Sequence, residues 1–135
     1  MYDHLRQRGK EFGIVFTDRI ILSNSHLALE ASEYARDMGK YEAFHDHIFH
    51  AYFTEALDIG NVEILSMVAV RSGLDAVDMM NALKDHTFRL RLDEAKREGK
   101  RINLTGVPTF IINGQYKIVG AQPVDVFSEL LNKIR

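Results

Sequence analysis

The stretch TGVPTFIINGQYKIVG, residues 105–120, decides the fold. It contains two short runs rich in β-branched and aromatic residues, 110–112 and 116–119, which favour strands. Between them lies Asn113-Gly114, whose residues tolerate the positive φ angles that a type I′ turn requires. Pro108 has no backbone N–H, so we expect it at the entrance of the first strand rather than inside it. The stretch therefore predicts a β-hairpin with a two-residue turn.

The remainder of the chain is predicted to be helical, because its apolar residues recur at helical spacing. The spacing and the turn residues predict helices over residues 2–12, 26–38, 41–57, 62–72, 76–98 and 123–134. Asn61 and Asp75 are expected to cap two helix starts. Gly39, Gly73 and Gly99 are expected to end helices. Residues 13–18 are interpreted as an extended connector.

Three of these helices carry apolar stripes that the pattern places in the core. The predicted buried residues are Phe44, Ile48, Ala51 and Tyr52 in the helix over 41–57, Val77, Met80 and Leu83 in the helix over 76–98, and Val126, Phe127, Leu130, Leu131 and Ile134 in the last helix. Phe49 and Phe53 widen the first stripe, so we expect that helix to be covered on more than one side.

Composition excludes several classes of function. The chain has 135 residues, enough for one domain, and its 46% hydrophobic and 27% charged residues are ordinary for a globular protein. A net charge of −2 gives no basic surface for nucleic acid or an anionic membrane. No apolar run approaches the roughly 20 residues needed to span a bilayer. The chain has no cysteine, which excludes disulfides, thiolate metal sites and cysteine-based catalysis. A cytoplasmic setting is expected.

Gly106-Val107-Pro108-Thr109-Phe110, followed by the hairpin and by Gly120-Ala121-Gln122, resembles the C-terminal half of thioredoxin-fold proteins of the DsbA type. The match is most similar to the FrnE-like branch, which is related to the 2-hydroxychromene-2-carboxylate isomerases. The resemblance implies an α/β, mostly helical, incomplete thioredoxin-like fold. Residues 1–101 would form its helical part and residues 102–135 its C-terminal β-hairpin and helix, within a single DsbA-like domain. The first strand, the cysteine-bearing helix and the second strand of the family's fold are expected to be missing.

The same resemblance implies a substrate-binding loop. Val107-Pro108 would form a cis-proline loop that faces a Cys-x-x-Cys motif across the active site. Gly106, Val107, Pro108 and Thr109 would then bind a peptide or thiol substrate, the peptide by strand addition. The alternative is a purely structural turn that starts a strand. No complete catalytic constellation is present, so no catalytic residue, metal ligand or cofactor is expected in this chain.

Histidines and charges elsewhere offer weaker candidates. His47 and His50 are three residues apart on a predicted helix and could share a metal ion, but His45 faces a different side. Solvated or capping histidines are the favoured interpretation. The mixed charges of residues 84–101 indicate a solvated helix face, with Asp93 and Arg97 as an i, i+4 pair.

Three functions follow from the sequence. The first is a member or fragment of a DsbA-like thiol-disulfide oxidoreductase, inactive as a dithiol catalyst because exchange requires a thiolate. The second is a glutathione-using isomerase or transferase of the related branch, whose catalytic residue would lie in the missing part. The third is a non-enzymatic binding or dimerisation module. A homodimer or a larger homo-oligomer is expected, because a hairpin without its neighbouring strand leaves an open edge.

Overall fold

The computed structural model describes residues 2–18 and 21–134, without the side chain of Tyr2. In this part of the chain the elements are α1 (Tyr2–Glu11), α2 (His26–Asp37), α3 (Tyr41–Phe53), α4 (Val62–Arg71), α5 (Ala76–Lys84), α6 (Arg89–Arg101), β1 (Thr109–Ile112), β2 (Tyr116–Val119) and α7 (Val124–Lys133). The predicted connector over residues 13–18 contains no helix or strand. The chain divides into two compact units, with the border between Leu92 and Asp93.

The first unit is built on four helices. α2 packs against α3, α4 and α5, and α4 also packs against α3 and α5. Phe44, Leu65, Val68 and Met79 are fully buried where these helices meet. Each such side chain contributes roughly 1.5–3 kcal/mol relative to an exposed one, so this cluster is the main source of stability in the unit.

Helix ends in this unit follow the predicted chemistry. The Asn61 side chain accepts a hydrogen bond from the Glu63 N–H at 2.7 Å. The Asp75 side chain accepts one from the Asp78 N–H at 3.0 Å. Gly73, just beyond α4, has a φ of 71°. The two predicted N-caps and this glycine stop are confirmed.

Helix α3 ends at Phe53, so the predicted extension to residue 57 is wrong. Ala56 has a φ of 56°, which a right-handed helix excludes. The Thr54 hydroxyl donates a hydrogen bond to the Val15 carbonyl at 2.7 Å, which fixes the chain just after the helix. A contact with a residue 39 positions earlier decides this boundary, and local spacing does not contain it.

The predicted continuous helix over residues 76–98 is also wrong. It breaks after Lys84, restarts at Arg89 and passes Gly99 to end at Arg101. His86, inside the break, has a φ of 52°. The break directs Phe88 into the core, where its ring packs edge-on against Tyr34 with centroids 6.2 Å apart. Tertiary packing therefore outweighs the local preference for helix.

Several predicted core positions are exposed instead. Val77 is 72% exposed and Met79 takes its place in the core. Phe49 is 50% exposed, so α3 is not covered on all its apolar sides. In α7 none of the predicted residues is buried, although Phe127, Leu130 and Ile134 are half-buried. These helices keep their predicted apolar faces but bury less of them than the pattern implied.

The second unit contains the predicted hairpin. β1 and β2 pair antiparallel, with Thr109 opposite Val119 and Ile112 opposite Tyr116. Residues 113–115 therefore form a three-residue connection, one residue longer than predicted. Asn113 and Gly114 have the expected positive φ angles, 53° and 68°.

Helix α7 packs on one face of this hairpin. The ring of Phe127 lies edge-on to that of Phe110, with centroids 4.9 Å apart. Ile118, which pairs with Phe110 across the hairpin, is buried. Pro123 occupies the N-cap position of α7, so the helix begins one residue later than predicted. The second unit is thus a helix-covered hairpin.

Asn61 offers a test of the capping chemistry. We expect Asn61→Ala to lower the free energy of unfolding by about 0.5–2 kcal/mol, because the Glu63 N–H loses its partner at the helix start. Asn81→Ala makes the same chemical change at an exposed position inside α5 and should leave stability unchanged or slightly raised. Urea unfolding followed by far-UV circular dichroism measures both. Equal losses in the two variants would contradict the assigned cap.

Candidate functional site

Of the four residues predicted to bind substrate, Gly106, Val107 and Pro108 form a short loop, and Thr109 begins β1. The Val107-Pro108 peptide bond is cis, the isomer that the family resemblance implies. Val107 is 82% exposed and Pro108 is exposed beside it. The Thr109 hydroxyl donates a hydrogen bond to the Gly106 carbonyl at 2.6 Å, which closes the loop on itself.

The loop leads into a strand with one open side. The Gly120 N–H donates to the Pro108 carbonyl at 2.7 Å, so these two residues are a hydrogen-bonded pair of the ladder. Such pairs alternate in antiparallel strands, so Phe110 bonds with β2 while Thr109 and Ile111 point their N–H and C=O groups away from it. Within the described residues no backbone hydrogen bond reaches these outward groups. We call the outward groups of Thr109 and Ile111 the β1 edge.

No charged side chain lies on β1. The hairpin's one charged residue within its strands is Lys117 on β2, whose ammonium donates to the carbonyls of Ile102 and Asn103 at the end of α6. Natural sheets commonly protect an open strand with a lysine or another charge. In the described hairpin that protection is absent from the β1 edge.

A buried carboxylate in the first unit was not predicted. Glu30 on α2 is fully buried, with its Oε1 atom 3.3 Å from His26 Nε2 and 3.4 Å from His86 Nδ1. Its Oε2 atom has no hydrogen-bond partner among the described residues. The sequence signal was slight, a single glutamate beside the apolar stripe of α2 and one turn after a histidine. No group of three or more potential ligands in the described chain is arranged to hold a metal ion, and this trio is no exception.

The three histidines of α3 have separate neighbours. His47 Nδ1 lies 2.7 Å from the Ala43 carbonyl, so this nitrogen carries the proton and cannot act as a base toward Ser72 Oγ, 3.3 Å away. His50 Nε2 lies 3.6 Å from a carboxylate oxygen of Glu55. His45 stacks on the Phe49 ring, with centroids 4.3 Å apart. This arrangement supports scaffold roles for these histidines.

Aromatic rings form a row along α3, and the sequence pattern had predicted only Phe49 and Phe53 of this row to be covered. Tyr41, His45, Phe49 and Phe53 follow one another at four-residue intervals, with successive centroids 5.6, 4.3 and 5.6 Å apart. The guanidinium of Arg36 lies 4.0 Å from the centre of the Tyr41 ring. His45, Phe49 and Phe53 line two open apolar cavities, of about 410 and 690 Å³, and Tyr41 lines only the smaller one.

The two cavities have different surroundings. The smaller one is lined by Ser25, Ala28, Leu29, Ser32, Glu33, Tyr41, His45, Ile48, Phe49, Tyr52, Phe53, Ile59 and Leu92. The larger one is lined by Leu5, Gly13, Ile14, Val15, Phe16, His45, Asp46, Phe49, His50, Phe53 and Thr54.

Tyr34 is excluded as a general base. Its burial, together with its hydrogen bond to the Asp78 carboxylate at 2.9 Å, raises the pKa of the Tyr34 hydroxyl to about 12. The hydroxyl therefore stays protonated at neutral pH and serves as a donor that ties α2 to α5.

The fold and this loop define a class of protein. The chain belongs to the family of DSBA-like thioredoxin domains, whose model matches residues 1–132. The predicted family and the mostly helical, thioredoxin-like fold class are thereby confirmed. The chain is similar in structure to the probable DsbA oxidoreductase of Streptomyces coelicolor, with a TM-score of 0.82 and 26% identity, over 97% of this chain and 57% of that one.

Among curated proteins, the chain is 33% identical over 107 residues to the uncharacterized protein YwbO of Bacillus subtilis. That match covers 78% of this chain and 53% of YwbO. It is 24% identical over 80 residues to the thiol:disulfide interchange protein DsbA of Pseudomonas aeruginosa, over 59% of this chain and 38% of that protein. The chain thus spans about half, or less, of the length of these relatives. No helix in residues 2–18 or 21–134 has the length and hydrophobicity to cross a membrane.

Glu30 yields a test of the buried carboxylate. We expect Glu30→Met to raise the free energy of unfolding by about 1–3 kcal/mol, because a well-packed apolar side chain replaces a buried carboxyl group that has one unpartnered oxygen. His26 and His86 are partly exposed and can bond to water instead. Glu42→Met, at an exposed position in α3, is the matched control and should change stability little. A large loss of stability in Glu30→Met would show that the two histidine contacts outweigh the cost of burial.

Proposed function

We propose that this chain is a peptide-binding module of the DsbA-like family, which holds an extended peptide along the β1 edge and does not itself catalyse dithiol exchange. The observation that supports it is the row of outward N–H and C=O groups on Thr109 and Ile111, which no described residue satisfies. Val107 belongs to the cis-proline loop and is 82% exposed, so the loop continues this surface beyond Thr109.

A peptide would bind by adding a strand. Its backbone would exchange hydrogen bonds with Thr109 and Ile111, and its first or last residue would lie against the loop of Gly106, Val107 and Pro108. Side chains alternate along a strand, so both faces of the peptide would meet apolar surface. Phe110 is 41% exposed on one face and Ile111 47% exposed on the other. The preferred ligand is therefore an uncharged, extended segment with apolar side chains.

Thiol chemistry would have to come from elsewhere. Thiol-disulfide exchange begins with attack by a thiolate, and this chain has no cysteine to supply one. The loop would then position a substrate for cysteines on another segment or another protein. The glutathione-using isomerase or transferase remains an alternative at the level of the family, and no contact among the described residues specifically favours it.

The purified chain should not accelerate thiol-disulfide exchange. We expect the reduction of insulin by dithiothreitol to proceed at the same rate with and without the chain, because no thiolate is available. A Cys-x-x-Cys oxidoreductase in the same assay is the positive control. A rate above background that scales with the concentration of the chain would contradict the expectation.

Peptide binding through the β1 edge should depend on the peptide's own backbone donors. We expect a labelled, uncharged valine-rich peptide to bind, and N-methylation of the donors that face β1 to weaken binding about tenfold, since two hydrogen bonds are lost. The control is the same peptide methylated on its opposite edge, which should bind normally. Fluorescence anisotropy measures affinity, and amide NMR shifts should centre on Thr109 and Ile111. Equal binding by both methylated peptides would refute strand addition.

A further inference from the structure

The segment that carries the cis-proline loop begins at the C-terminal end of α6. Asn103 has a φ of 52°, and its N–H donates to the Lys100 carbonyl at 3.0 Å. The Leu104 N–H donates to the Gly99 carbonyl at 2.8 Å. These two bonds around a left-handed residue form a Schellman motif, which ends a helix and satisfies two of its last carbonyls. Neither the Asn103 carbonyl nor the Ile102 carbonyl accepts a backbone hydrogen bond from a described residue.

Lys117 on β2 supplies a donor to both of these carbonyls. Its ammonium donates to the Ile102 carbonyl at 3.3 Å and also to the Asn103 carbonyl. A lysine on an exposed strand commonly extends into water, where its charge keeps other strands away. Here the charge lies at the C-terminal end of a helix, where the partial negative charge of the carbonyls favours a cation. Apart from the Thr109 hydroxyl, no other described side chain hydrogen-bonds to residues 102–108.

Residues 102–108 are therefore held at both ends. At one end the Pro108 carbonyl accepts the hydrogen bond from the Gly120 N–H at 2.7 Å, and at the other the ammonium holds the Asn103 carbonyl. Only two residues separate Asn103 from Gly106, where the loop begins. Because consecutive Cα atoms are a fixed distance of about 3.8 Å apart, so short a span passes a movement of Asn103 on to the loop.

We infer that Lys117 is a positioning residue for the cis-proline loop. By holding the carbonyls at the end of α6, its ammonium fixes the backbone from which Gly106, Val107 and Pro108 project. A loop that is already ordered loses less conformational entropy when a peptide binds, so this lysine raises the affinity without touching the peptide. The effect on affinity rests on the proposed function, whereas the effect on the mobility of the loop does not.

Three substitutions separate the ammonium from the rest of the side chain. Lys117→Met keeps most of the aliphatic stem and removes the charged donor. Lys117→Arg keeps a charged N–H donor and should restore most of the contact. Lys133→Met, at an exposed position of α7, is the matched control for the loss of one lysine. Urea unfolding of each variant shows whether the hairpin and its helix remain folded.

NMR relaxation of the backbone amides measures the order of the loop directly. In Lys117→Met we expect the order parameters of Leu104, Gly106 and Val107 to fall, while those of β2 stay unchanged. A lysine that served only general stability would lower the free energy of unfolding without loosening this segment selectively. Unchanged order parameters in a folded Lys117→Met variant would overturn the inference.

Peptide affinity tests the consequence for binding. The uncharged valine-rich peptide should bind Lys117→Met about tenfold more weakly, which is the equivalent of ordering roughly one backbone residue at the binding step. Lys117→Arg and Lys133→Met should bind it nearly as well as the unaltered chain does. Full affinity in a Lys117→Met variant with a mobile loop would overturn the positioning role. A loop that Lys117→Met loosens, in a chain that binds no peptide even when unaltered, would support the fixed loop and refute the proposed function.

Competitive acetylation keeps the inference testable if Lys117→Met does not fold. In the unaltered chain the hydrogen bonds of Lys117 must break before its nitrogen can attack acetic anhydride. We therefore expect Lys117 to be acetylated at least about threefold more slowly than Lys133, as measured by mass spectrometry of proteolytic peptides. Equal rates at the two lysines would overturn the inference.

Discussion

The hydrogen bond from the Gly120 N–H to the Pro108 carbonyl sets the phase of the hairpin. Pro108 has no N–H, so its carbonyl is the only backbone group it can offer to the ladder. Once that carbonyl bonds to β2, alternation sends the groups of Thr109 and Ile111 outward. A shift by one residue would exchange inward and outward groups and move every side chain to the other face. The outward direction of these groups is thus a consequence of the ladder.

The strands were predictable because their chemistry is local. β-Branched and aromatic residues favour a pleated backbone, and Asn113-Gly114 supplied two positive φ angles as expected. The length of the connection was not predictable, because the Asn-Gly dipeptide specifies backbone angles and not the number of residues between the strands. The Gln115 N–H bonds to the Ile112 carbonyl, which leaves Gln115 as one residue more than the predicted turn. The motif around Pro108 predicted the loop. Which backbone groups of β1 point away from β2 depends on the residue pairing between the two strands, and the sequence did not give that pairing.

Predictability in the helical unit follows the same division. The caps at Asn61 and Asp75 depend on a side chain and an amide two or three residues away, and both were found from sequence. The break after α5 contains no proline or glycine and depends on the packing of Phe88 against a ring 54 positions earlier in the chain. Glu30 was missed for the same reason, since one of its two histidine neighbours, His86, lies 56 residues away. The helix caps, which depend on neighbouring residues, could be predicted from the sequence, whereas contacts between residues far apart in the chain could not.

Binding and chemistry make different demands on a chain of this family. Chemistry needs a thiolate, a single group that one substitution removes and that this sequence lacks. Binding by strand addition needs backbone groups, which every residue except proline supplies in full. An edge of this kind therefore persists without the reactive cysteines, provided that the ladder keeps its phase. Backbone groups recognise any extended chain, so selectivity must come from the flanking side chains. Here those are Phe110 and Ile111, on opposite faces and each about half exposed. Their apolar character would favour the uncharged peptide of the proposed function over a charged one.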